Sequence, residues 1–491
     1  MEPLGATTIL LVICISCLLL SAWRKMSGNG KLPPGPVPLP LIGNALQLNT
    51  KNLPQSIEKL SAKFGPVFTI YLGTKPAVVL YGYEAVKEAL IDQGDAFSGR
   101  GPIPILDQVV EGKGIGSSNG EAWKQLRRFG LTTLRNFGMG KKNIEERILE
   151  EAHFLVERFR NTHEGAFDPT SFLIHAVSNV ICSVVFGDRF DYHDKKFLKL
   201  IDLLEQNSKL QLSFTMYLLF PTLMDYFPGP HKKILKNFRA FASFVSERTK
   251  INRESLDLSC PRDFIDAFLI KIEEEKQNDQ SEFNNANMVK TTLDLFIAGT
   301  GTTSITLKYG LLLLLRHPEI EAKVHEEIDR VIGRNRRPCM ADRSQMPYTD
   351  AVVHEIQRFV SLVPLNVPRT VIRDTQFRQF IIPKGTIIFP TLKSILYDSR
   401  EFPNPDQFDP GHFLDENGAF RKTDYFMPFS TGKRICAGEG MARMEIFLFL
   451  TMILQNFTLK PLIDPKEIDI SPITTTMANR PRPFQLCVVP R

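Results

Sequence analysis

The residue best suited to chemistry in this sequence is Cys436, in the stretch Phe429 to Gly438 that reads FxxGxRxCxG. A cation, Arg434, lies two residues before it, and an apolar segment with helical periodicity, Met441 to Leu454, follows. Backbone N–H groups at the turn and the positive end of the following helix both favour a thiolate over a thiol. These residues therefore indicate a thiolate that binds a metal cofactor. An inert buried thiol also fits them when they are taken alone.

Two further pairs have a spacing that brings polar groups together on one helix face. Trp123 and Arg127 lie one turn apart, so the indole N–H and the guanidinium can clamp a carboxylate, or the guanidinium can stack on the indole. Glu355 and Arg358 lie three residues apart among apolar neighbours, which predicts a partly buried ion pair. Such a pair needs a third polar partner.

A long apolar helix must position part of any site. Leu293 to Leu315 has helical periodicity, but its centre, Ala298 to Ser304, contains two glycines and three threonines. Glycine costs about 1 kcal/mol relative to alanine in a helix, and β-branched threonine is also disfavoured. The composition predicts a locally opened turn, with a carbonyl freed or bridged by a threonine hydroxyl. Close packing through small side chains is the alternative, and the leucine run 311–315 is expected in the core.

The composition limits the class of protein. The chain has 491 residues, of which 23% are charged and 43% hydrophobic, which is typical of a globular protein. A net charge of +6 without a long basic run does not favour nucleic acid as a partner. The seven cysteines are scattered, and only Cys14 and Cys17, inside an apolar run, have CxxC spacing. Neither a disulfide framework nor a zinc ribbon fits, and the catalytic body is expected in the cytosol.

The N-terminal segment is predicted to be a membrane anchor, residues 1–25. Leu4 to Trp23 carries no charge and is about as long as a membrane-spanning helix. Arg24 and Lys25 follow it, which predicts that the downstream side is cytoplasmic. A cleaved secretory peptide is the alternative, but no cation precedes the apolar run and no clean small-x-small cleavage site follows it.

The next segment, residues 26–45, is basic and rich in proline, and is predicted to be a stiff spacer before a globular body at 46–491. A ligand for a proline-binding domain is the alternative. In the body, Val67 to Leu72 and Ala77 to Tyr81 indicate a hairpin, and helical periodicity dominates from Glu84 to about Ile332. A second β cluster spans Phe377 to Phe389, and a last strand pair is predicted near residues 484–489. This mainly helical pattern disfavours a Rossmann domain.

The order of the motifs identifies a family. WxxxR at Trp123, AGxxTT at Ala298, ExxR at Glu355, FDPGHF at Phe408 and FxxGxRxCxG at Phe429, at these separations, together resemble the cytochrome P450 superfamily. Four shorter stretches are most similar to the microsomal family-2 enzymes near the C and H subfamilies; they are PPGP at 33–36, FSGRG at 97–101, CMADR at 339–343 and FMPFS at 426–430. The resemblance covers the chain from anchor to C-terminus. It implies the mainly α haem-thiolate fold with small β-sheets (α+β), preceded by a transmembrane helix.

That resemblance implies a haem b cofactor whose axial iron ligand is Cys436, with electron donation from the thiolate favouring O–O cleavage. Other residues match haem-binding positions of the family, mostly those that hold the propionates; they are Arg100, Trp123, Arg127, Ala298, Arg369, Phe429 and Arg434. Glu355 and Arg358 match the structural pair that braces the loop before the cysteine. His412 occupies a position where many members have arginine.

Thr302 matches the threonine that helps to deliver protons during oxygen activation, and Thr303 follows it. The family usually has an acidic residue immediately before this threonine, but this chain has Gly301. Proton delivery would therefore depend on the two threonines and ordered water. We expect turnover to persist, with more of the reduced oxygen released as peroxide.

The substrate pocket that the resemblance implies is mostly apolar, which fits a drug-like molecule, a steroid or a fatty acid such as arachidonate. Its expected lining residues are Ile115, Leu295, Phe296, Ala298, Val363, Val367 and Thr476. Electrons would come from NADPH through the membrane-bound NADPH–cytochrome P450 reductase, with cytochrome b5 as a second candidate partner. Cations that could face the reductase are Lys124, Arg128, Lys433 and Arg443.

The sequence therefore predicts a monooxygenase of the endoplasmic reticulum membrane, with its catalytic domain on the cytoplasmic side, that hydroxylates or epoxidises hydrophobic substrates. One alternative is a haem-thiolate isomerase or peroxygenase that acts on lipid peroxides without O₂ or a reductase. The other is a haem carrier or sensor without turnover.

Overall fold

The structure is a computed structural model that describes residues 32–49, 52–101, 112–137, 142–210, 224–474 and 478–491. The predicted anchor, residues 1–25, lies outside these ranges. Among the helices of the described residues, none combines the length and the apolar character that crossing a bilayer requires.

Helices form most of the described chain, as the periodicity predicted. They are α1 Leu53–Phe64, α2 Tyr83–Lys87, α3 Gly114–Ser117, α4 Gly120–Asn136, α5 Lys142–Arg160, α6 Thr170–Val185, α7 Lys195–Leu210, α8 Pro230–Glu254, α9 Phe264–Glu274, α10 Asn285–Arg316, α11 Pro318–Val331, α12 Pro347–Val360, α13 Lys393–Leu396 and α14 Glu439–Asn456. The strands are β1 Val67–Leu72, β2 Lys75–Leu80, β3 Arg369–Thr370, β4 Thr375–Phe377, β5 Phe380–Ile382, β6 Ile387–Pro390, β7 Phe457–Pro461, β8 Ile473–Thr474, β9 Asn479–Arg480 and β10 Leu486–Pro490.

The long helix α10 runs through the main hydrophobic core. The side chain of Asn284 caps its first turn by accepting from the backbone N–H of Asn287, and Pro318 prevents its continuation beyond His317. It packs against α6, α8, α12 and α14. The leucine run 311–315 is at most 3% exposed, so the prediction that it belongs to the core is confirmed.

Helix α10 continues without interruption through Ala298–Ser304, so the predicted opened turn does not form. One part of the prediction holds, because Thr302 Oγ1 donates to the carbonyl oxygen of Ala298 at 2.8 Å. The alternative explains Gly299, where a Cβ would lie 3.2 Å from Cγ1 of Ile181. Tight packing against α6 therefore accounts for this small residue.

The largest sheet has the order β1-β2-β6-β3 and joins the two halves of the chain. Strands β1 and β2 form the predicted antiparallel hairpin, β2 pairs with β6 in parallel, and β6 pairs with β3 antiparallel. The predicted second β cluster is divided into β4, β5 and β6. Arg369 is the first residue of β3, so the sheet positions it beside the site described below.

The expected strand pair near residues 484–489 is one strand, β10, whose antiparallel partner is the distant β7. Strand β7 begins at Phe457, directly after α14. Local sequence patterns indicate a strand but do not identify a partner that lies elsewhere in the chain.

The described part of the predicted linker, residues 32–45, packs on the globular body. Thr69 in β1 donates its backbone N–H to Pro34 O at 2.8 Å and its hydroxyl to Pro33 O at 2.8 Å. Asn44 accepts from the N–H of Tyr71 at 2.6 Å. The proline-rich segment therefore lies along the edge strand of the main sheet and covers its free backbone groups.

Candidate active site

Cys436 lies in a tight loop between a 3₁₀ helix, Gly432–Arg434, and the start of α14 at Glu439. The backbone N–H of Cys436 donates to Phe429 O at 3.0 Å, which closes the loop. Gly432 has φ of 72°, and a Cβ there would lie 1.9 Å from the carbonyl oxygen of Leu90. Only glycine fits this position, so the sequence motif reflects a close approach of two backbone segments.

The surroundings of the Cys436 sulfur act in opposite directions on its charge. The residue is exposed to solvent, yet the protein atoms around it raise the pKa of the thiol through burial. Backbone N–H groups of Gly438 and Glu439 and the cation of Arg127 lower that pKa. The amides at the start of α14 therefore favour the thiolate as the sequence predicted, and metal ligation would complete the deprotonation.

Arg434 and Arg127 are fixed close to the cysteine loop. Arg127 donates to Ile435 O at 2.6 Å. Arg434 is 5% exposed and donates to Ser98 O at 2.9 Å and Ser118 O at 2.7 Å. Its guanidinium also lies 3.9 Å from the ring centroid of Trp123, nearer than the 5.9 Å of Arg127. The stacking partner of Trp123 is therefore Arg434, which sequence spacing alone did not indicate.

Two more arginines reach the same region from distant parts of the chain. Arg100 donates to Val367 O at 3.0 Å and to Pro368 O at 3.1 Å. Arg369 is completely buried and donates to Ser430 Oγ at 3.0 Å. The structure thus brings together four arginines that the sequence placed at cofactor positions.

This arginine cluster, defined as Arg100, Arg127, Arg369 and Arg434, is electrostatically unfavourable as it stands. Burial and the neighbouring guanidinium groups lower the pKa of Arg434 to about 8, that of Arg369 to about 9 and that of Arg100 to about 10. A guanidinium nevertheless remains charged in proteins. Buried cations that repel one another in this way would be stabilised by an anionic group.

Unpartnered donors point to the same conclusion. Among the described residues, buried nitrogen atoms without a hydrogen-bond partner include Trp123 Nε1, Arg100 Nε, and both Nε and Nη1 of Arg369. None of the four arginines forms an ion pair with a carboxylate of the described chain. Buried donors are normally satisfied, so these atoms fit a ligand with carboxylate groups. The donor set beside Cys436 matches the two propionates of a haem.

The predicted proton-delivery residues lie on α10. Thr302 is exposed, and Thr303 is 2% exposed. A cavity of about 50 Å³ is lined by Thr302, Thr303 and Thr306 on the α10 side and by Pro428 and Phe429 on the side of the cysteine loop. The structure therefore brings the threonines and the cysteine loop together around one cavity.

Gly301 differs from Gly299 because a Cβ added at this position would meet nothing within 4 Å. Packing therefore does not require glycine there. The absence of an acidic side chain at 301 is a property of this sequence that the fold does not impose.

Sequence reasoning missed Glu445, which is 1% exposed in the middle of α14. Its Oε2 accepts from Thr303 Oγ1 at 3.1 Å, and Oε1 has no partner among the described residues. Burial raises the pKa of Glu445 to about 8, and only the bond from Thr303 opposes that rise. A glutamate within the apolar run 441–454 was the signal that could have identified it, because acidic residues are seldom buried without a partner.

Glu355 and Arg358 are both completely buried. The two carboxylate oxygens accept from Arg358 Nε and Nη2 at 2.7 Å each, and His412 Nδ1 lies 3.2 Å from Oε1. Although burial lowers the pKa of His412, the hydrogen bond with Glu355 raises it. His412 is thus the third partner that a buried pair was predicted to need.

Phe429 and Arg443 lie together near the cysteine loop. The Arg443 guanidinium lies 5.0 Å from the ring centroid of Phe429, and it pairs with Glu439 at 2.9 Å. Its Nη1 lies 3.1 Å from Nε2 of buried His354. Arg443 is therefore half-buried and bonded within the protein, whereas Lys124, Arg128 and Lys433, the other cations expected to face a reductase, are exposed.

The residues expected to line the substrate pocket lie in different environments. Ile115, Leu295, Val363 and Val367 are half-buried and Ala298 is exposed. Phe296 is 2% exposed, with its ring 6.1 Å from that of Phe186 and 6.2 Å from that of Phe241. It therefore packs in the core. Thr476 lies outside the described residues.

Comparison with known proteins agrees with this geometry. The sequence model of the family described as Cytochrome P450 matches residues 33–488. The chain is 64% identical over 493 residues to Cytochrome P450 2H1 of Gallus gallus, with 100% of each chain covered. It is 59% identical over 487 residues to Cytochrome P450 2C21 of Canis lupus familiaris, covering 98% of this chain and 100% of that protein. These similarities confirm the resemblance that the motifs indicated.

Proposed function

Since this chain belongs to the cytochrome P450 family and is a haem-thiolate monooxygenase, we propose that it hydroxylates or epoxidises apolar substrates with electrons from NADPH delivered by a reductase. The observation that carries the proposal is the arginine cluster beside Cys436, whose buried, unpartnered donors fit haem propionates. The substrates we propose are drug-like molecules, steroids and fatty acids. The half-buried apolar side chains of Ile115, Leu295, Val363 and Val367 suit such molecules.

The residues of the site have different roles. When bound, the haem supplies the activation of O₂ by which one oxygen atom enters the substrate. Cys436 is the axial ligand, and the bond from its N–H to Phe429 O keeps the sulfur in a fixed loop. Arg127 fixes the same loop through Ile435 O. Thr302 presents an exposed hydroxyl that can carry protons into the site.

We propose that Arg369 holds a propionate through its two unpartnered nitrogen atoms. Replacing it by glutamine removes the charge and most of the donors, so Arg369→Gln should retain haem about 10-fold less well. Haem transfer to apomyoglobin, followed by absorbance, measures this. Arg373→Gln is the matched control, because Arg373 is exposed in the same segment. Equal haem transfer from the two variants would contradict the assignment.

Gly301 is proposed to limit proton delivery. Because a Cβ at 301 meets nothing within 4 Å, Gly301→Glu should fold normally and place a carboxyl group beside Thr302. We expect product formed per NADPH consumed to rise several-fold, with less peroxide released. Gly299→Ala is a poor comparison because of Ile181, so Gly301→Gln, which has the same shape without a titratable group, is the control. Unchanged coupling in Gly301→Glu would contradict the proposed limit.

The reaction class and the substrate class are tested together in reconstituted membranes. Arachidonate, steroids and drug-like probes are each incubated with NADPH, reductase and O₂, and oxygenated products are identified by mass spectrometry. Product from a lipid hydroperoxide alone, with no effect of NADPH, would favour a peroxygenase or isomerase. Binding without any oxygen uptake would favour a carrier or sensor.

The proposed location is the endoplasmic reticulum membrane, with the catalytic domain on the cytoplasmic side. The uncharged segment Leu4–Trp23 and the cations after it support this proposal. We also propose that a reductase docks near Lys124 and Arg128, which are exposed on α4, and near Lys433, which is exposed in the cysteine loop. Cytochrome b5 is a second candidate for this surface.

A further inference from the structure

We propose that Glu445 is a proton reservoir for the active site, which acts through Thr303 and stands in for the acid that is absent at position 301. This inference rests on the proposed function and extends it to the source of the protons. It assigns a chemical role to a residue of α14 that is hydrogen-bonded to Thr303, which lines the cavity.

The position of Glu445 is unusual for a carboxyl group. It is 1% exposed within an apolar helix, and its Oε1 has no partner among the described residues. It forms no ion pair with any described cation. A buried carboxylate without a cation would be strongly unfavourable, so the neutral acid is the stable form.

A short path leads from this acid to the cavity. Thr303 Oγ1 lies 3.1 Å from Glu445 Oε2, and Thr303 also lines the cavity shared with Thr302. A hydroxyl group donates one hydrogen bond and accepts others, so Thr303 can receive a proton from the acid and release its own into the cavity. The cavity of about 50 Å³ exceeds the roughly 10–15 Å³ that a buried water needs.

The same cavity contains polar groups that can hold water. Both amide atoms of Gln357, on its wall, are buried and have no partner among the described residues. None of the residues that line the cavity is acidic. Glu445 is therefore the carboxyl group that the described structure connects to these threonines, through one hydrogen bond.

The proton balance closes with solvent water as the final proton source. The Glu445 proton passes to Thr303, and the hydroxyl proton of Thr303 passes through water in the cavity to Thr302, which delivers a proton to the active site and leaves Glu445 as a carboxylate. One proton taken up from bulk water at exposed Thr302 then passes back along the same path to Glu445. The ionised form is destabilised by burial, and this favours reloading before the next turnover.

The charge state is tested directly in the resting protein by infrared spectroscopy in D₂O and H₂O. We expect a carboxylic acid C=O stretch at neutral pH that is absent from Glu445→Gln and that titrates near the pKa of about 8. Thr303→Val removes the hydrogen bond that lowers this pKa, so the same band should persist to higher pH. Absence of a Glu445 acid band at neutral pH would overturn the proposal.

The role in turnover is tested by coupling. Glu445→Gln should lower product formed per NADPH consumed several-fold relative to the parent, and Gly301→Glu should restore it in the double variant more than it improves the parent. Glu321→Gln is the matched control, because Glu321 is also buried with a pKa raised by burial to about 7, but it accepts from the backbone N–H of Leu459 in β7 and does not line the cavity. Normal coupling in Glu445→Gln would overturn the proposal. The proposed function would survive that result if the parent still converted substrate with NADPH.

Discussion

Replacement of Glu355 by alanine is expected to yield protein that does not incorporate haem. The carboxylate accepts from two nitrogen atoms of Arg358 at 2.7 Å each and from the backbone N–H of Asp409 at 2.9 Å. Arg358 donates in turn to Leu396 O, Pro405 O and Gln407 O. The pair therefore fixes α12 to the segment that precedes the cysteine loop.

The expected size of the effect follows from burial. Both side chains have an exposed fraction of 0%, so removing the carboxylate leaves the Arg358 charge buried and unpaired. Breaking a buried pair in this way typically costs about 3–5 kcal/mol, a large part of the roughly 5–15 kcal/mol by which proteins are stable. The cysteine loop would lose its fixed position before any chemistry begins.

Two measurements test this prediction. The pyridine haemochrome assay gives the haem content per polypeptide, and thermal unfolding gives the melting temperature. The matched control is Glu247→Ala, which removes an exposed ion pair with Lys196 at 2.7 Å. An exposed pair contributes about 0–1 kcal/mol, so the control should keep its haem and its melting temperature. A Glu355→Ala protein with a full complement of haem would show that the pair is not structural.

The parts of the fold that sequence reasoning predicted are those encoded by local patterns. The apolar run of α14, which is buried on nearly every face, and the β-rich runs of the first hairpin can each be recognised within one short segment. The pairing of β7 with β10 was not predicted, because β7 ends at Pro461 and β10 begins only at Leu486, so the contact is not local in sequence. The opened turn in α10 was predicted wrongly, since close packing of Gly299 on Ile181 outweighs the low helix propensity of glycine.

In the site, too, sequence reasoning could not predict features that depend on distant parts of the chain. Arg100, Arg127, Arg369 and Arg434 could be assigned only through the family motifs, because four distant segments supply them. The burial and mutual repulsion that lower the pKa values of Arg100, Arg369 and Arg434 are properties of the assembled structure. Glu445 was missed for the complementary reason. Within an apolar helix period a single glutamate does not reveal that Thr303, more than a hundred residues earlier, will be its partner.

Replacement of Cys436 by serine is expected to abolish NADPH-dependent product formation. The carbon monoxide difference spectrum of the reduced protein should also lose the band that is characteristic of thiolate ligation. A serine hydroxyl has the shape of the thiol but is a far weaker ligand and electron donor for iron. The loop itself should persist, because its closing bond, from the N–H of residue 436 to Phe429 O at 3.0 Å, is made by backbone atoms.

The Cys436→Ser variant is informative because the arginine cluster can bind the haem propionates independently of the sulfur. Arg369 and Trp123 retain their buried, unpartnered donors in Cys436→Ser, so some haem should remain bound with altered spectra. Cys260→Ser is the matched control, since Cys260 is exposed and lies between α8 and α9. Its thiolate spectrum and turnover should equal those of the parent. A thiolate spectrum that survived in Cys436→Ser would mean that another cysteine ligates the iron, and the assignment of the site would fail.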